Sequence, residues 1–191
     1  MKLILASASP RRQELMTLMG LRYEVHVCNE PEIMPENAAP EDAVRALALQ
    51  KASFVQAAHP NDCIIGADTI VFLDGEILGK PEDADMARDY LHQLQGRQHS
   101  VYTGVAVLTP AGADVRCCIT EVTFCPMSEA EIDWYVKTGE PLDKAGAYGV
   151  QGPGGMFVSR IDGNYFNVIG LPLPMIYAML RSVGMDMITN N

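Results

Sequence analysis

The stretch Cys63-Ile64-Ile65-Gly66-Ala67-Asp68-Thr69-Ile70-Val71-Phe72-Leu73 limits the possible folds more than any other part of the chain. Its apolar, β-branched character predicts one long strand over Cys63–Leu73. Leu73-Asp74-Gly75-Glu76 then reads as a tight hairpin, because Asp-Gly supplies the positive φ that a two-residue turn requires. Asp68 stands in the middle of this strand. A carboxylate in an apolar run is costly to bury without a partner or a metal. Gly66 and Ala67 clear space beside it, and Thr69 adds a hydroxyl. Two readings follow: a structural Asp satisfied by backbone amides, or a metal ligand or general base of the kind that serves Mg²⁺ or Mn²⁺.

Further strand signals lie at Lys2–Ala6, Tyr23–Val27, Ser100–Leu108, Val115–Phe124 and Gly155–Ile161, with a second turn at Thr109-Pro110-Ala111-Gly112. Helical periodicity covers Pro10–Met19, Pro40–Ala58, Asp83–Leu94, Ser128–Lys137 and Pro172–Val183. Ser128 and Glu131 have capping-box spacing. Strands and helices alternate irregularly, without an internal repeat or a long linker. The expected class is α/β or α+β with a mixed, twisted sheet. The 191 residues fit one domain or two small lobes, and 48% hydrophobic residues are enough for a sizeable core.

The net charge of −10 argues against general attraction to nucleic acid or to anionic membranes. No apolar run approaches the roughly 20 residues that span a bilayer. Met1–Ala6 is too short for the core of a signal peptide, so the expected compartment is the cytoplasm. Five cysteines form no CxxC pair and read as small buried apolar residues rather than a zinc or disulfide framework.

An anion bound by so acidic a chain needs local cations. Ser9 caps a predicted helix whose first turn holds Pro10, Arg11 and Arg12. Free N–H groups and the helix dipole favour an anion at that end, so two cations oppose the dipole unless an anionic ligand lies between them. The readings are a pair of solvated arginines or a phosphate cradle. Lys51 closes the uncharged helical stretch Ala46–Gln50, and Lys80 stands in Gly79-Lys80-Pro81. Each alone also reads as a surface lysine. Gly75–Lys80 is not a P-loop, because the glycine spacing differs and Pro81 replaces the Ser/Thr. The segment Asp143–Gly155 is dense in glycine but does not match GxGxxG. It reads as a flexible loop, or as a close approach of Gln151 and its flanking glycines to a flat ligand.

Taken together, Ser7-Ala8-Ser9-Pro10-Arg11-Arg12, Gly66-Ala67-Asp68-Thr69, Gly79-Lys80-Pro81, Thr103-Gly104-Val105, Asp143–Gly152 and Val168-Ile169-Gly170-Leu171-Pro172 resemble, in order, the motifs of the Maf family of nucleoside triphosphate pyrophosphatases, also described as septum-formation inhibitors. The resemblance runs from residue 2 to about 183. It implies a fold like that of inosine triphosphate pyrophosphatases, with residues 1–191 as a single domain of two lobes flanking a central cleft along a long mixed sheet. It also implies hydrolysis of a nucleoside triphosphate to the monophosphate and pyrophosphate, with a divalent metal, Mg²⁺ or Mn²⁺.

Asp68 matches the family's catalytic acidic position, and Ser9, Arg12, Lys51 and Lys80 match its phosphate-binding positions. Where the family often carries an Asp-Glu pair, this chain has Glu30-Pro31-Glu32-Ile33. Glu32 takes the metal-site role there, together with Asp68. Arg11, Thr69 and Gln151 match the substrate-binding pattern of the dTTP/UTP subgroup, whereas the 7-methyl-GTP subgroup carries Trp, Gln and Glu. A glutamine offers a donor and an acceptor to the O4 and N3–H of uracil or thymine. The implied partner is a small nucleotide, with a homodimer suggested by the resemblance. The alternatives are a 7-methyl-GTP pyrophosphatase and a nucleotide-sensing regulator of septum formation.

Overall fold

The computed structural model describes residues 1–185, so residues 186–191 of the expected domain lie outside the described residues. Among the described residues are seven strands and six α-helices. The strands are β1 (Leu3–Leu5), β2 (Glu24–Val25), β3 (Cys63–Leu73), β4 (Glu76–Leu78), β5 (Gln98–Thr109), β6 (Gly112–Phe124) and β7 (Val158–Asp162). The helices are α1 (Pro10–Leu18), α2 (Pro40–Ala58), α3 (Ala84–Leu94), α4 (Glu129–Lys137), α5 (Tyr165–Ile169) and α6 (Leu173–Ser182). The sheet runs β2-β1-β3-β5-β6-β7, with β4 paired to β3. It is mixed: β1 is parallel to both β2 and β3, whereas β3–β4 and β6–β7 are antiparallel. Each parallel pairing needs a crossover, and α1 and α2 supply them.

The chain forms two compact units, each assembled from separated segments. The first comprises residues 1–68, 103–118 and 170 onward; the second comprises 69–102 and 119–169. Strands β3, β5 and β6 contribute residues to both. In the first unit, Ile4, Ala6, Ala48, Ala52, Val55, Ile64, Ala106 and Leu108 form one apolar cluster. The second has its own core, in which Leu91 of α3, Phe124 of β6 and Ile132 and Tyr135 of α4 are buried together.

The predicted β3 and α2 match the observed bounds, and the Asp74-Gly75 turn has φ of 51° and 94° with Leu73 facing Glu76. The capping box of α4 forms on both sides, Ser128 to the Glu131 amide and Glu131 back to Ser128. One strand needs correction. Gly155–Phe157 belongs to a 3₁₀ turn over Pro153–Phe157, and β7 starts only at Val158. Gly155 N–H closes that turn on the Gly152 carbonyl (3.0 Å), which withdraws it from the sheet ladder. Helix α5 carries no sequence signal because five residues are too few for periodicity. It is fixed by Asn167, whose Nδ2 donates to the Val101 carbonyl and to Thr120 Oγ1, both at 3.0 Å.

Helix α2 rests on the strands of its own unit through two glycines. A Cβ at Gly66 would lie 2.3 Å from the Ala48 carbonyl oxygen, and one at Gly104 would lie 2.1 Å from that of Val44. The facing helix residues Ala43, Ala48 and Ala52 are small and buried. The gap that Gly66 leaves is therefore filled by helix backbone. The Thr103-Gly104-Val105 motif has the same explanation: small residues on both sides let helix and sheet approach closely.

Candidate active site

Close seating of α2 on β3 brings Lys51 to Asp68. Lys51 Nζ lies 2.5 Å from Asp68 Oδ1 and 2.9 Å from Glu32 Oε1. The Lys51 and Asp68 side chains are only 13% and 11% exposed, so this pair is largely removed from water. The structure thus answers the question raised by a carboxylate in an apolar strand: its partner is a lysine one helix away.

Glu32 lies in an irregular segment, and its placement has a local cause. Gln50 Oε1 accepts from Ile33 N–H (3.1 Å) while Gln50 Nε2 donates to the Ile33 carbonyl (2.7 Å). This two-point clamp from α2 holds the backbone beside Glu32. Sequence reasoning missed Gln50, although its position next to Lys51 was a usable signal.

The arginine pair opens α1. Ser9 caps the helix as predicted, its hydroxyl accepting from Arg12 N–H at 3.5 Å. The Arg12 guanidinium turns back on its own unit: Nε donates to the Gly170 carbonyl (2.9 Å) and NH1 to Ser7 Oγ (3.4 Å). Ser7, itself buried, also accepts from Ser9 N–H at 3.2 Å. Ser7 and Gly170, which the motifs contain without indicating a role, position Arg12. Burial lowers the Arg12 pKa, Asp68 opposes that shift, Arg11 reinforces it and Glu32 opposes it again. A guanidinium nevertheless stays charged at any ordinary pH. Ser9, Arg11, Arg12, Glu32, Lys51 and Asp68 all belong to the first unit, and Arg11, Arg12, Glu32 and Asp68 share one electrostatic environment.

Thr69, Lys80 and Gln151 belong to the second unit. Lys80 is exposed, and the Gly79 before it accepts from Gly146 N–H at 3.0 Å, so the Lys80 segment is tied to the start of the glycine-rich segment. Gln151 is exposed, and its side chain makes no hydrogen bond with any described residue. The glycines around it are packed on the side that a Cβ would take. A Cβ at Gly149, Gly152 or Gly154 would strike Lys144, Glu140 or Tyr135 respectively.

The five cysteines are free thiols, and among the described residues no group of three or more His, Cys, Asp or Glu side chains could hold a metal. Glu32 and Asp68 nonetheless suit a hard cation in kind. Both are carboxylates, and they converge on one positive centre, the Lys51 ammonium. Two carboxylates leave the remainder of a coordination shell to water and ligand oxygens, as Mg²⁺ prefers. No helix among the described residues is long and apolar enough to cross a membrane.

The family model described as Maf-like protein matches residues 2–183. A dTTP/UTP pyrophosphatase of Bacillus velezensis is 48% identical over 180 residues, which covers 94% of this chain and 95% of that protein. A dTTP/UTP pyrophosphatase of Bacillus cytotoxicus is 48% identical over 180 residues, covering 94% of each. Among solved structures, the Ham1 protein of Staphylococcus aureus superposes with a TM-score of 0.46 at 15% identity, over 65% of this chain and 72% of that one.

Proposed function

The chain belongs to the Maf family, and on that premise we propose that it is a nucleoside triphosphate pyrophosphatase that hydrolyses dTTP and UTP to the monophosphate and pyrophosphate. The observation that carries the reading is Lys51 held between Asp68 and Glu32, with Arg12 in the same electrostatic environment. This gives one unit both the cations that a triphosphate requires and a carboxylate able to handle water.

The resting ion pair defines the first step. Arriving phosphate oxygens compete for the Lys51 ammonium, and as it turns to them the Asp68 carboxylate becomes available to a water molecule. Asp68 orients that water and takes its proton as the water oxygen bonds to the α-phosphorus. The bond from the α-phosphorus to the bridging oxygen breaks, and the growing charge of the leaving pyrophosphate is met by Arg12 and Lys51; Lys80 is assigned to the phosphates as well. The dipole of α1, whose N-terminus Ser9 caps, favours negative charge at the same end. Glu32 and Asp68 would hold a Mg²⁺ or Mn²⁺ ion, which supplies further charge neutralisation on the phosphates when bound.

Arg11, Thr69 and Gln151 are assigned to the nucleotide, with Gln151 reading the O4 and N3–H of the pyrimidine. Residues 1–191 act as one domain. The enzyme is taken as cytoplasmic and homodimeric, without a nucleic-acid or membrane partner, in keeping with the net charge of −10.

The test is pyrophosphate release from dTTP, UTP, dCTP, GTP and 7-methyl-GTP with Mn²⁺. Release from dTTP and UTP is expected, lost with EDTA and restored by Mn²⁺. Undiminished turnover after exhaustive chelation would remove the metal from the site. A preference for 7-methyl-GTP would change the subgroup, and tight binding without turnover would point to a sensor.

A further inference from the structure

The loop that carries Gln151 is held at both ends by two side chains of its own unit. Helix α4 starts at its capping box and places Tyr135 in its last turns, with the ring buried against Phe157 at a centroid distance of 5.6 Å. Thr138 ends the helix, and Gly139 at φ 76° reverses the chain. That reversal brings Glu140 back alongside Tyr135, at the head of the 3₁₀ turn Glu140–Asp143. Tyr135 Oη accepts from Gly149 N–H at 3.1 Å, and Glu140 Oε2 accepts from Gly154 N–H at 2.9 Å.

The glycines complete the fit. A Cβ at Gly152 would stand 1.9 Å from Glu140 Oε1, and one at Gly154 would stand 2.2 Å from Tyr135 Oη. At Gly149 it would meet the stem of Lys144 at 2.6 Å. Lys144 Nζ is fixed in turn on the Glu140 carbonyl (2.9 Å) and the Asp143 carboxylate (2.6 Å). Burial, followed by a hydrogen bond to Glu140, raises the Tyr135 pKa, so the phenol keeps its proton.

We infer that Tyr135 and Glu140 are positioning residues that set the base selectivity of the enzyme, by fixing the backbone on both sides of Gln151. The inference rests on the reading of Gln151 as the base-contacting residue. A glutamine amide makes a two-point contact only when the backbone carrying it is held at the right place. On a loosened loop the ordering cost moves into the binding step, and one of the two hydrogen bonds is lost. A site that has lost a paired contact also loses its power to reject the wrong partner.

The test variant is Tyr135→Phe, which keeps the ring against Phe157 and removes only the oxygen that accepts Gly149 N–H. The expected result is a KM for dTTP and UTP raised about tenfold with kcat nearly unchanged. Selectivity for dTTP over 7-methyl-GTP falls in step, and amide exchange at Gly149 becomes faster. Glu140→Ala acts in the same way at Gly154, and Glu140→Gln, which retains an acceptor oxygen, recovers most of the loss. Parent-like KM and selectivity in both Tyr135→Phe and Glu140→Ala overturn the inference. So does a fall in kcat at constant KM, or an equal loss on every nucleotide, either of which marks a merely structural role. A parent enzyme that hydrolyses no nucleotide overturns the pyrophosphatase reading and the selectivity claim with it. Unchanged amide exchange at Gly149 and Gly154 overturns the clamp alone.

Discussion

At Lys51 the first unit pairs one ammonium with two carboxylates, whereas at Gln151 the second unit fixes the backbone and leaves the side chain in solvent. The difference follows from what each region can leave unpaired. A charge kept from water must have a partner at rest, so the charged cluster is self-satisfied until an anion displaces one contact. An exposed amide is satisfied by water and needs no resting partner, so its precision has to come from the loop beneath it. On the proposed function, chemistry is held ready by ion pairing, and recognition by backbone geometry.

Removing the carboxylate tests that comparison most severely. Asp68→Asn should lower kcat by about 10²-fold or more on every accepted nucleotide alike, because it deletes the proton acceptor and not the base contact. Steady-state turnover on dTTP and UTP checks this, and near-normal rates would take Asp68 out of the mechanism.

Acid should act on the second unit through a different residue. His99 is buried, its Nε2 lies 2.8 Å from Tyr148 Oη, and burial lowers its pKa from 6.5 to about 4. The unfolded chain takes up that proton first, so this contribution is present above about pH 6.5 and is lost as pH falls towards 4. It amounts to about 3 kcal/mol. Denaturant titrations between pH 7 and 4 should show that slope in the parent and a flatter one in His99→Gln.

Closeness of α2 to β3 makes a smaller and separable prediction. Gly66→Ala forces the helix off the strand, costing about 1–3 kcal/mol of stability and lowering kcat as Lys51 moves from Asp68. Gly79→Ala, where no atom lies within 4 Å of the added carbon, should leave Tm at the parent value. Equal Tm for both variants would show that the helix yields without strain.

The mildest change addresses the loop. Gln151→Glu replaces a donor with a charged acceptor facing the pyrimidine O4, which costs roughly 1–3 kcal/mol, about 5- to 150-fold in kcat/KM for dTTP and UTP. Because Arg11 and Thr69 remain, 7-methyl-GTP should not become the preferred substrate. Unchanged pyrimidine values would break the division between a chemical and a recognition region.

How much of this was legible in the sequence depends on the range of the interaction. Strand β3, its Asp-Gly turn and the Ser128–Glu131 cap are written in neighbouring residues, so their bounds or partners could be read directly. Asp68 stood out because a lone carboxylate in an apolar run demands an explanation. The identity of its partner did not, since Lys51 reaches it only through the packing of Gly66 against Ala48 and Ala52. Glycines proved the least legible. Those near Asp68 read as cleared space and those near Gln151 as a close approach to a ligand, whereas the room a Cβ would take is filled by α2 backbone and by Tyr135, Glu140 and Lys144. A sequence shows where a side chain is missing and not what fills its place.

The hydrogen bond from Arg12 to the Gly170 carbonyl joins residues 158 positions apart. On the ribosome, α1 and its arginines precede by well over a hundred residues the carbonyl that receives Arg12 Nε. Contacts of such long sequence separation also form late in refolding, because loop closure must precede them. Until residue 170 has been made, the guanidinium has its near partner Ser7 but not this distant one. On the proposed function, competence to bind a triphosphate therefore waits for residue 170.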